Sequence, residues 1–594
     1  MFQTFDATTS PEQGPPRIAA LRAAMVAHGV DAFVAPRADA HQGEYVAARD
    51  DRLAWLTGFT GSAGFAVVLA DQAGIFVDGR YSLQVRDQVD TSVLTPVDWP
   101  KTKLGPWLKE RVPDGKVGID PWLHTTEQVE ALEAAGLSLV YVANLVDEVW
   151  EDQPDPPVGK VEVYPVELSG KSHADKRSEV GKSLGTANAA VLTLPDSISW
   201  LLNVRGSDLP HTPSVQAFAI LAQDGGVRVF TAPEKLAPLA GHLGAGVSVH
   251  PGEEFAGALA DLDGPVRVDR ASAPFAVVQV LRKAGVEVAW GADPCSLPKA
   301  TKTAAEIAAT TEAHLRDGAA MVEFLAWLDE AAPKGGLTEI DVVETLEGCR
   351  RATNVLRDIS FDTISGAGPN GAVVHYRVTR ETNREITPGD LLLVDSGGQY
   401  VDGTTDVTRT VTTGTPSADQ VAAFTNVLKG VIAISRARWP NGLSGRDLDP
   451  LARAALWRAG QDYDHGTGHG VGVFLSVHEG PQRLSRASDV PLKPGMILSN
   501  EPGYYREGEW GIRIENLVVV EVAPKLDGGD EGREQLCFGT LTYVPVDTRL
   551  VDAARLSPGE REWLNAYHAE VEARIGPRVS QATGVWLRKA CRPI

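Results

Sequence analysis

Hydrophobic residues make up 43% of the 594 and charged residues 23%, which excludes a disordered or collagen-like chain and leaves material for about two to four globular domains. Lys and Arg total 56 against 78 Asp and Glu, and the resulting net charge of −22 is spread along the chain, which disfavours nucleic acid and anionic membranes as partners. The four cysteines, Cys295, Cys349, Cys537 and Cys591, lie far apart without zinc spacing and read as reduced thiols. The start lacks a basic region followed by an apolar core, so no secretory leader is expected. No apolar run approaches the roughly 18 residues of a membrane span. A soluble, cytoplasmic protein without nucleic-acid or membrane partners is expected.

Residues 1–155 read as alternating helices and strands. Ile18 to His28 is an amphipathic helix stopped at Gly29, Asp31–Ala35 is a buried strand, and Phe65–Val77 is a hairpin. Asp78-Gly-Arg80-Tyr81 leads into a helix, and the proline-rich polar stretch Glu151–Lys160 marks a boundary. Residues 156–300 repeat the first pattern. Trp200-Leu-Leu-Asn-Val echoes Trp55-Leu-Thr-Gly-Phe, and Phe218-Ala-Ile-Leu-Ala echoes Phe65-Ala-Val-Val-Leu-Ala, as expected of two α/β domains arising by duplication. Gly170-Lys-Ser172 and Gly181-Lys-Ser183 are not phosphate loops, because Pro165 and Lys176 stand where the first glycine is required.

Residues 301–594 form the third expected domain. Thr303 and Glu306 cap a helix with Leu315, Ala319, Val322 and Leu325 on one face, ended by Pro333, Gly335 and Gly336; a second helix begins near Thr338. Gly366-Ala-Gly368-Pro-Asn-Gly371 spells a dinucleotide fingerprint, but a strand pattern follows where a helix N-terminus is needed, so a tight turn delivering His375 is the better reading. Ser417 and Gln420 cap a helix expected to reach Trp439, and Asp449-Pro450 opens another that ends near Gly460. His465-Gly-Thr-Gly-His469-Gly-Val-Gly is a glycine-rich loop whose backbone can approach a ligand closely. Beyond it come an acidic loop at 527–532, apolar strands, and a helix bearing Trp563, Leu564 and Tyr567.

The chemistry concentrates between Asp395 and Glu515. Leu391-Leu-Leu-Val-Asp395 is a buried strand ending in a carboxylate, and an extended run after Ser396-Gly-Gly delivers Asp406 as its hairpin partner. The pattern recurs at Met496–Glu501 and Gly511–Leu517, with Arg513, Glu515 and Leu517 on one face of the second run. Four buried carboxylates repel one another and call for cations. Two divalent ions would neutralise them, with His469 completing one shell, and an oxygen-rich set with one nitrogen suits manganese, cobalt, iron or zinc rather than a sulfur-ligated structural zinc.

Asp395, Asp406, His469, Glu501 and Glu515, in that order, resemble the five ligands of the dinuclear pita-bread metallopeptidases. The words around His375, Asp402–Thr410, His465–Gly472, Val477-His478-Glu-Gly-Pro and Glu501-Pro-Gly-Tyr-Tyr resemble aminopeptidase P in its long, three-domain cytosolic form. The resemblance implies two related N-terminal α/β domains, then an α+β catalytic domain with a curved antiparallel sheet and a C-terminal extension that helps form a homodimer. It implies release of the first residue from peptides with proline second, through a hydroxide bridging two divalent metals, most often Mn²⁺. Glu501 becomes the proton shuttle, His478 the donor to the developing oxyanion, and His375 and His465 the lining of the peptide path. Arg513 braces the carboxylates, and Arg80 reaches the peptide. A prolyl amide is tertiary and lacks the N–H that ordinary peptidases use. Prolidase is disfavoured by the glycine-loop wording and the length, methionine aminopeptidase by the two extra domains, and a creatinase-like hydrolase or a non-catalytic peptide-binding module by the intact ligand set.

Overall fold

The computed structural model describes residues 1–530 and 532–594, so Glu531, in the middle of the acidic loop, lies outside the described residues. The chain divides into two compact units, Thr8–Ser296 and a second built from Leu297–Ile594 together with Met1–Ala7.

The Thr8–Ser296 unit contains two six-stranded sheets of the same design. In the first the spatial order is Leu94–Asp98, Ala73–Val77, Phe65–Leu69, Ala32–Pro36, Lys116–Ile119 and Ser138–Tyr141. In the second it is Val247–His250, Val227–Phe230, Phe218–Ala222, Ala189–Leu192, Val266–Val268 and Val288–Trp290. Both alternate identically: the central hairpin is antiparallel, and parallel strands flank it on either side. The repeat read from the tryptophan and phenylalanine words is therefore a repeat of topology. One apolar cluster draws on both sheets, with Val67 and Val117 from the first and Ile220 and Val266 from the second, joined by Val129 and Val278 from the helices Thr126–Ala134 and Phe275–Lys283.

In the other unit the local signals give the expected helix starts. Thr303 and Glu306 form a reciprocal capping box on Ala304–Ala331, and Thr338 caps Glu339–Arg351. Ser417 and Gln420 cap Ala418–Ser435, but this helix stops before Trp439. Arg438–Pro440 is instead an edge strand against Gln535–Thr540, where buried Trp439 packs on Phe538. The next helix is Gly445–Arg458, opened by a Ser444/Asp447 capping box four residues ahead of the expected start. Pro450 sits inside it, so the capping box outweighs the proline.

Strand pairing in this unit is antiparallel, as expected, and two of its sheets build the site. A three-stranded one has Leu391–Ser396 between Ile364–Ala367 and Val407–Thr412; a six-stranded one runs Arg438–Pro440, Gln535–Thr540, Asn516–Val522, Ile497–Asn500, Gly468–Gly470, Glu479–Leu484. Met1–Ala7 seals the first. Gln3 exchanges hydrogen bonds with the Thr363 backbone, the Arg380 N–H donates to the Phe5 carbonyl, and the Phe5 ring is buried with Ile340, Ile364 and Leu393.

Candidate metal centre

Asp395 is carried by the central strand of the three-stranded sheet, facing Ile364 on one side and Thr408 on the other. The link to Asp406 is longer than a simple hairpin: Gly398–Tyr400 and Gly403–Thr404 form their own small sheet before the chain returns at Val407. Glu501 follows the Ile497–Asn500 strand, its N–H bonded to the Thr467 carbonyl at 2.8 Å. His469 lies on a strand rather than in a loop, between Glu479–Leu484 and Ile497–Asn500. Its flanking glycines explain both the loop-like sequence and the strand: a Cβ on Gly468 would strike the Ser499 carbonyl, and one on Gly470 the Glu479 carbonyl.

The extended run Gly511–Leu517 is broken. Trp510–Arg513 pairs with Gly503–Arg506, and Asn516–Val522 belongs to the six-stranded sheet, so Ile514 and Glu515 form the joint. At that joint the Glu515 N–H donates to the Thr408 carbonyl at 3.1 Å and the Thr408 hydroxyl donates to Glu515 Oε2 at 2.9 Å, stitching the two sheets together. The strand pattern read after Gly371 is also absent. Gly368–Ala372 is a 3-10 turn lying so close to the next sheet that a Cβ on Gly511 would meet the Gly371 carbonyl, and a further turn places His375.

These elements converge. His469 Nε2 lies 3.5 Å from Asp406 Oδ2 and 3.4 Å from Glu501 Oε1, and Asp406, His469 and Glu515 offer ligand atoms all within 4.8 Å of one another. The His469 Nδ1–H donates to the Gly470 carbonyl at 2.9 Å, which leaves the Nε2 lone pair facing the carboxylates. Asp395 Oδ1, Asp406 Oδ1 and Glu515 Oε1 are buried and meet no hydrogen-bond donor. Burial, then the charges of Asp395 and Glu501, push the Asp406 carboxyl well above the usual carboxylate range. Burial, then Asp406, Glu501 and Asp395, do the same to Glu515. Orphaned, mutually repelling acceptors beside a lone imidazole nitrogen are what divalent cations satisfy, so the residues fit the metals that the sequence calls for.

Arg513 is buried against this cluster. Its Nη2 donates to Asp395 Oδ2 at 2.6 Å, its Nη1 to the Tyr505 hydroxyl at 2.7 Å, and its Nε to the Thr408 hydroxyl at 3.3 Å. Tyr505, which the sequence reading missed, passes the connection on: its hydroxyl donates to His465 Nε2 at 2.9 Å, while the His465 Nδ1–H donates to the Gly466 carbonyl at 2.7 Å. Burial pushes the Tyr505 phenol up to about 12, so it stays protonated. Also missed were Asp449 and Arg453, paired one helical turn apart. Arg453 donates to the His465 carbonyl at 2.7 Å, and Asp449 accepts from Thr467 at 2.6 Å, which clamps the start of the glycine-rich segment. Arg513→Lys, which keeps the charge but not the planar fork, is expected to weaken Mn²⁺ binding about 10–100-fold in a calorimetric titration.

The remaining histidines are placed by buried anchors. His478 sits edge-on to His469, ring centroids 4.2 Å apart, and the following Glu479 is locked by Lys302 and by Lys299 at 3.2 Å. The turn bearing His375 hangs on Glu339, which accepts from the Ala367 N–H at 2.7 Å and the Tyr376 hydroxyl at 2.9 Å, while the Val374 carbonyl accepts from Arg513. Arg80 lies in the Thr8–Ser296 unit, with its guanidinium 2.8 Å from Asp78 and 3.4 Å from Glu44. His568 is a core histidine whose Nε2 accepts from the Val546 N–H, while its buried Nδ1 meets no hydrogen-bond partner.

A model of metallopeptidase family M24 matches residues 308–521, and its C-terminal region matches 534–594. Creatinase/prolidase N-terminal domains match 17–149 and 152–306. Aminopeptidase P2 of Arabidopsis thaliana is 38% identical over 95% of this chain and 86% of its own. A probable Xaa-Pro aminopeptidase P of Laccaria bicolor is 40% identical over 97% and 93%. The crystal structure of an X-prolyl aminopeptidase from Caenorhabditis elegans, described as a cytosolic enzyme with a di-nuclear active site, superposes with a TM-score of 0.92 at 34% identity, covering 98% of this chain and all of that one. Sequence and fold agree, and the chain belongs to metallopeptidase family M24, in its aminopeptidase P branch.

Proposed function

We propose that this protein is a cytoplasmic, homodimeric Xaa-Pro aminopeptidase that uses two divalent cations, Mn²⁺ foremost, held by Asp395, Asp406, His469, Glu501 and Glu515. Three domains, 1–155, 156–300 and 301–594, carry the function. The observation that bears the reading is the convergence of His469 Nε2 with the Asp406 and Glu501 carboxylates, in a cluster where Asp395 Oδ1, Asp406 Oδ1 and Glu515 Oε1 are buried and meet no donor. When bound, the cations supply Lewis acidity and lower the pKa of water. The chain's own residues do the rest. Glu501, beside His469 and accepting from Ser499 at 3.1 Å, moves a proton between nucleophile and leaving amine. His478 donates to the oxyanion as it forms. His375 and His465 line the path of the proline ring, with His465 held in one tautomer by Tyr505 and Gly466. Among the described residues no helix is long and apolar enough to cross a membrane.

The test is hydrolysis of Arg-Pro-Pro, Ala-Pro and Arg-Ala-Ala by metal-stripped protein with Mn²⁺ restored. Mn²⁺-dependent release of arginine from Arg-Pro-Pro alone is the expected result. Cleavage confined to Ala-Pro would reassign the chain as a prolidase. Silence on all three with metal bound would point to a peptide-binding module.

A further inference from the structure

Arg409 lies on the Val407–Thr412 strand, buried to 1% exposure. Its guanidinium has five N–H groups, and the structure supplies acceptors for all of them. Nη1 donates to the Thr408 carbonyl at 2.8 Å and the Glu515 carbonyl at 2.5 Å. Nη2 donates to Asn516 Oδ1 at 2.7 Å and the Val544 carbonyl at 2.6 Å, and Nε to the Pro545 carbonyl at 3.1 Å. One side of the fork therefore grips the joint that carries Glu515, and the other grips the C-terminal segment.

The C-terminal grip is itself fixed by one hydroxyl. Tyr567, on the helix Pro558–Ile575, accepts from Arg409 Nη2 at 3.0 Å and from the Val544 N–H at 3.2 Å. Its single proton faces the Val544 carbonyl at 2.8 Å and the Thr542 carbonyl at 3.1 Å. The neighbouring His568 holds the Val546 N–H at 3.1 Å. Glu515 is thus tied through its N–H and side chain to Thr408 and through its carbonyl to Arg409, whose far end depends on Tyr567.

We propose that Arg409 is a positioning residue for the metal ligand Glu515, and that Tyr567 makes the C-terminal segment a working part of the metal centre. The proposal rests on the reading of Glu515 as a ligand. If the segment loosens, Arg409 is left with buried donors facing no acceptor and turns away, and the Glu515 backbone loses one of its ties. Binding linkage also runs the other way: cations that order Glu515 must tighten the segment.

The test uses the full-length protein and Mn²⁺ itself. In the unaltered protein, Mn²⁺ is expected to slow amide hydrogen exchange at Val544 and Val546. Tyr567→Phe removes hydrogen bonds but no volume, and should weaken Mn²⁺ binding by about tenfold in calorimetry. Arg409→Lys, which keeps the charge, should retain part of the affinity that Arg409→Met loses. Leu564→Ala, in the same helix but in the apolar core, should lower the melting temperature and leave Mn²⁺ affinity unchanged. Unchanged exchange at Val544 and Val546, wild-type affinity in folded Tyr567→Phe, or equal weakening by Leu564→Ala would overturn the link. Failure of the unaltered protein to bind Mn²⁺ would instead remove the metal-centre reading beneath it.

Discussion

Asp406→Asn is expected to lower kcat/KM on Arg-Pro-Pro by on the order of 10³-fold or more, beyond the 10–100-fold that attends loss of an outer-shell partner. Asp406 is 4% exposed, its Oδ2 is 3.5 Å from His469 Nε2, and its Oδ1 meets no donor. Asparagine fills the same volume but offers one neutral oxygen and an N–H₂ that points donors at the cation. Calorimetry should show fewer than two Mn²⁺ per chain. The same substitution should raise the melting temperature of the metal-free protein, because folding no longer has to bury a carboxyl that must either take up a proton or repel its neighbours. A purely structural Asp406 predicts the opposite pair of results, lower stability with activity retained in whatever remains folded. Activity within tenfold of the unaltered protein, at full Mn²⁺ dependence, would sink its role as a ligand.

The metal-free protein should melt at progressively lower temperature as pH rises from about 5 to 8. The sign follows from Asp406 and Glu515, whose folded-state carboxyls sit well above their usual range, burial being the larger cause and the neighbouring carboxylates the next. A carboxyl whose folded pKa is raised holds its proton more tightly folded than unfolded. Its contribution to stability is therefore present below the ordinary carboxylate pKa of about 4 and is lost as pH climbs through the raised folded value. Saturating Mn²⁺ replaces the protons, so it should flatten the slope and release protons on binding, measurable as a dependence of the calorimetric heat on buffer ionisation enthalpy. A melting temperature that rises across the same range in the stripped protein, or heats indifferent to buffer, would contradict this account of the site's electrostatics.

What was legible in the sequence is what is decided locally. The capping boxes at Thr303 and Ser417 each close within three residues, and the helices begin where those pairs stand. The candidate ligands stand out as carboxylates at the ends of apolar runs and as a histidine flanked by glycines. What was lost depended on partners far along the chain. Nothing between Gly511 and Leu517 marks the break at Glu515, because every residue there is buried; the break arises from Thr408, about a hundred positions earlier. Trp439 reads as helix until the strand at Gln535–Thr540 recruits it. Tyr505 matters through Arg513 and His465, and neither contact leaves a trace in its neighbours. Asp449 and Arg453 did leave one, an opposite-charge pair at helical spacing.

The seven N-terminal residues set a schedule. Gln3 finds its partner 360 positions later, and Phe5 waits for Leu393, two residues before Asp395. At roughly 5–20 residues per second, the ribosome delivers that partner some tens of seconds after Phe5 emerges. The Thr8–Ser296 unit has all of its chain long before then. The sheet that carries Asp395 is closed by residues made long before its own strands, so it stays open until Val407–Thr412 has been synthesised. A catalytic unit expressed from Leu297 onward would start life without that closing piece, and a synthetic peptide of residues 1–7 is the natural reagent to restore it.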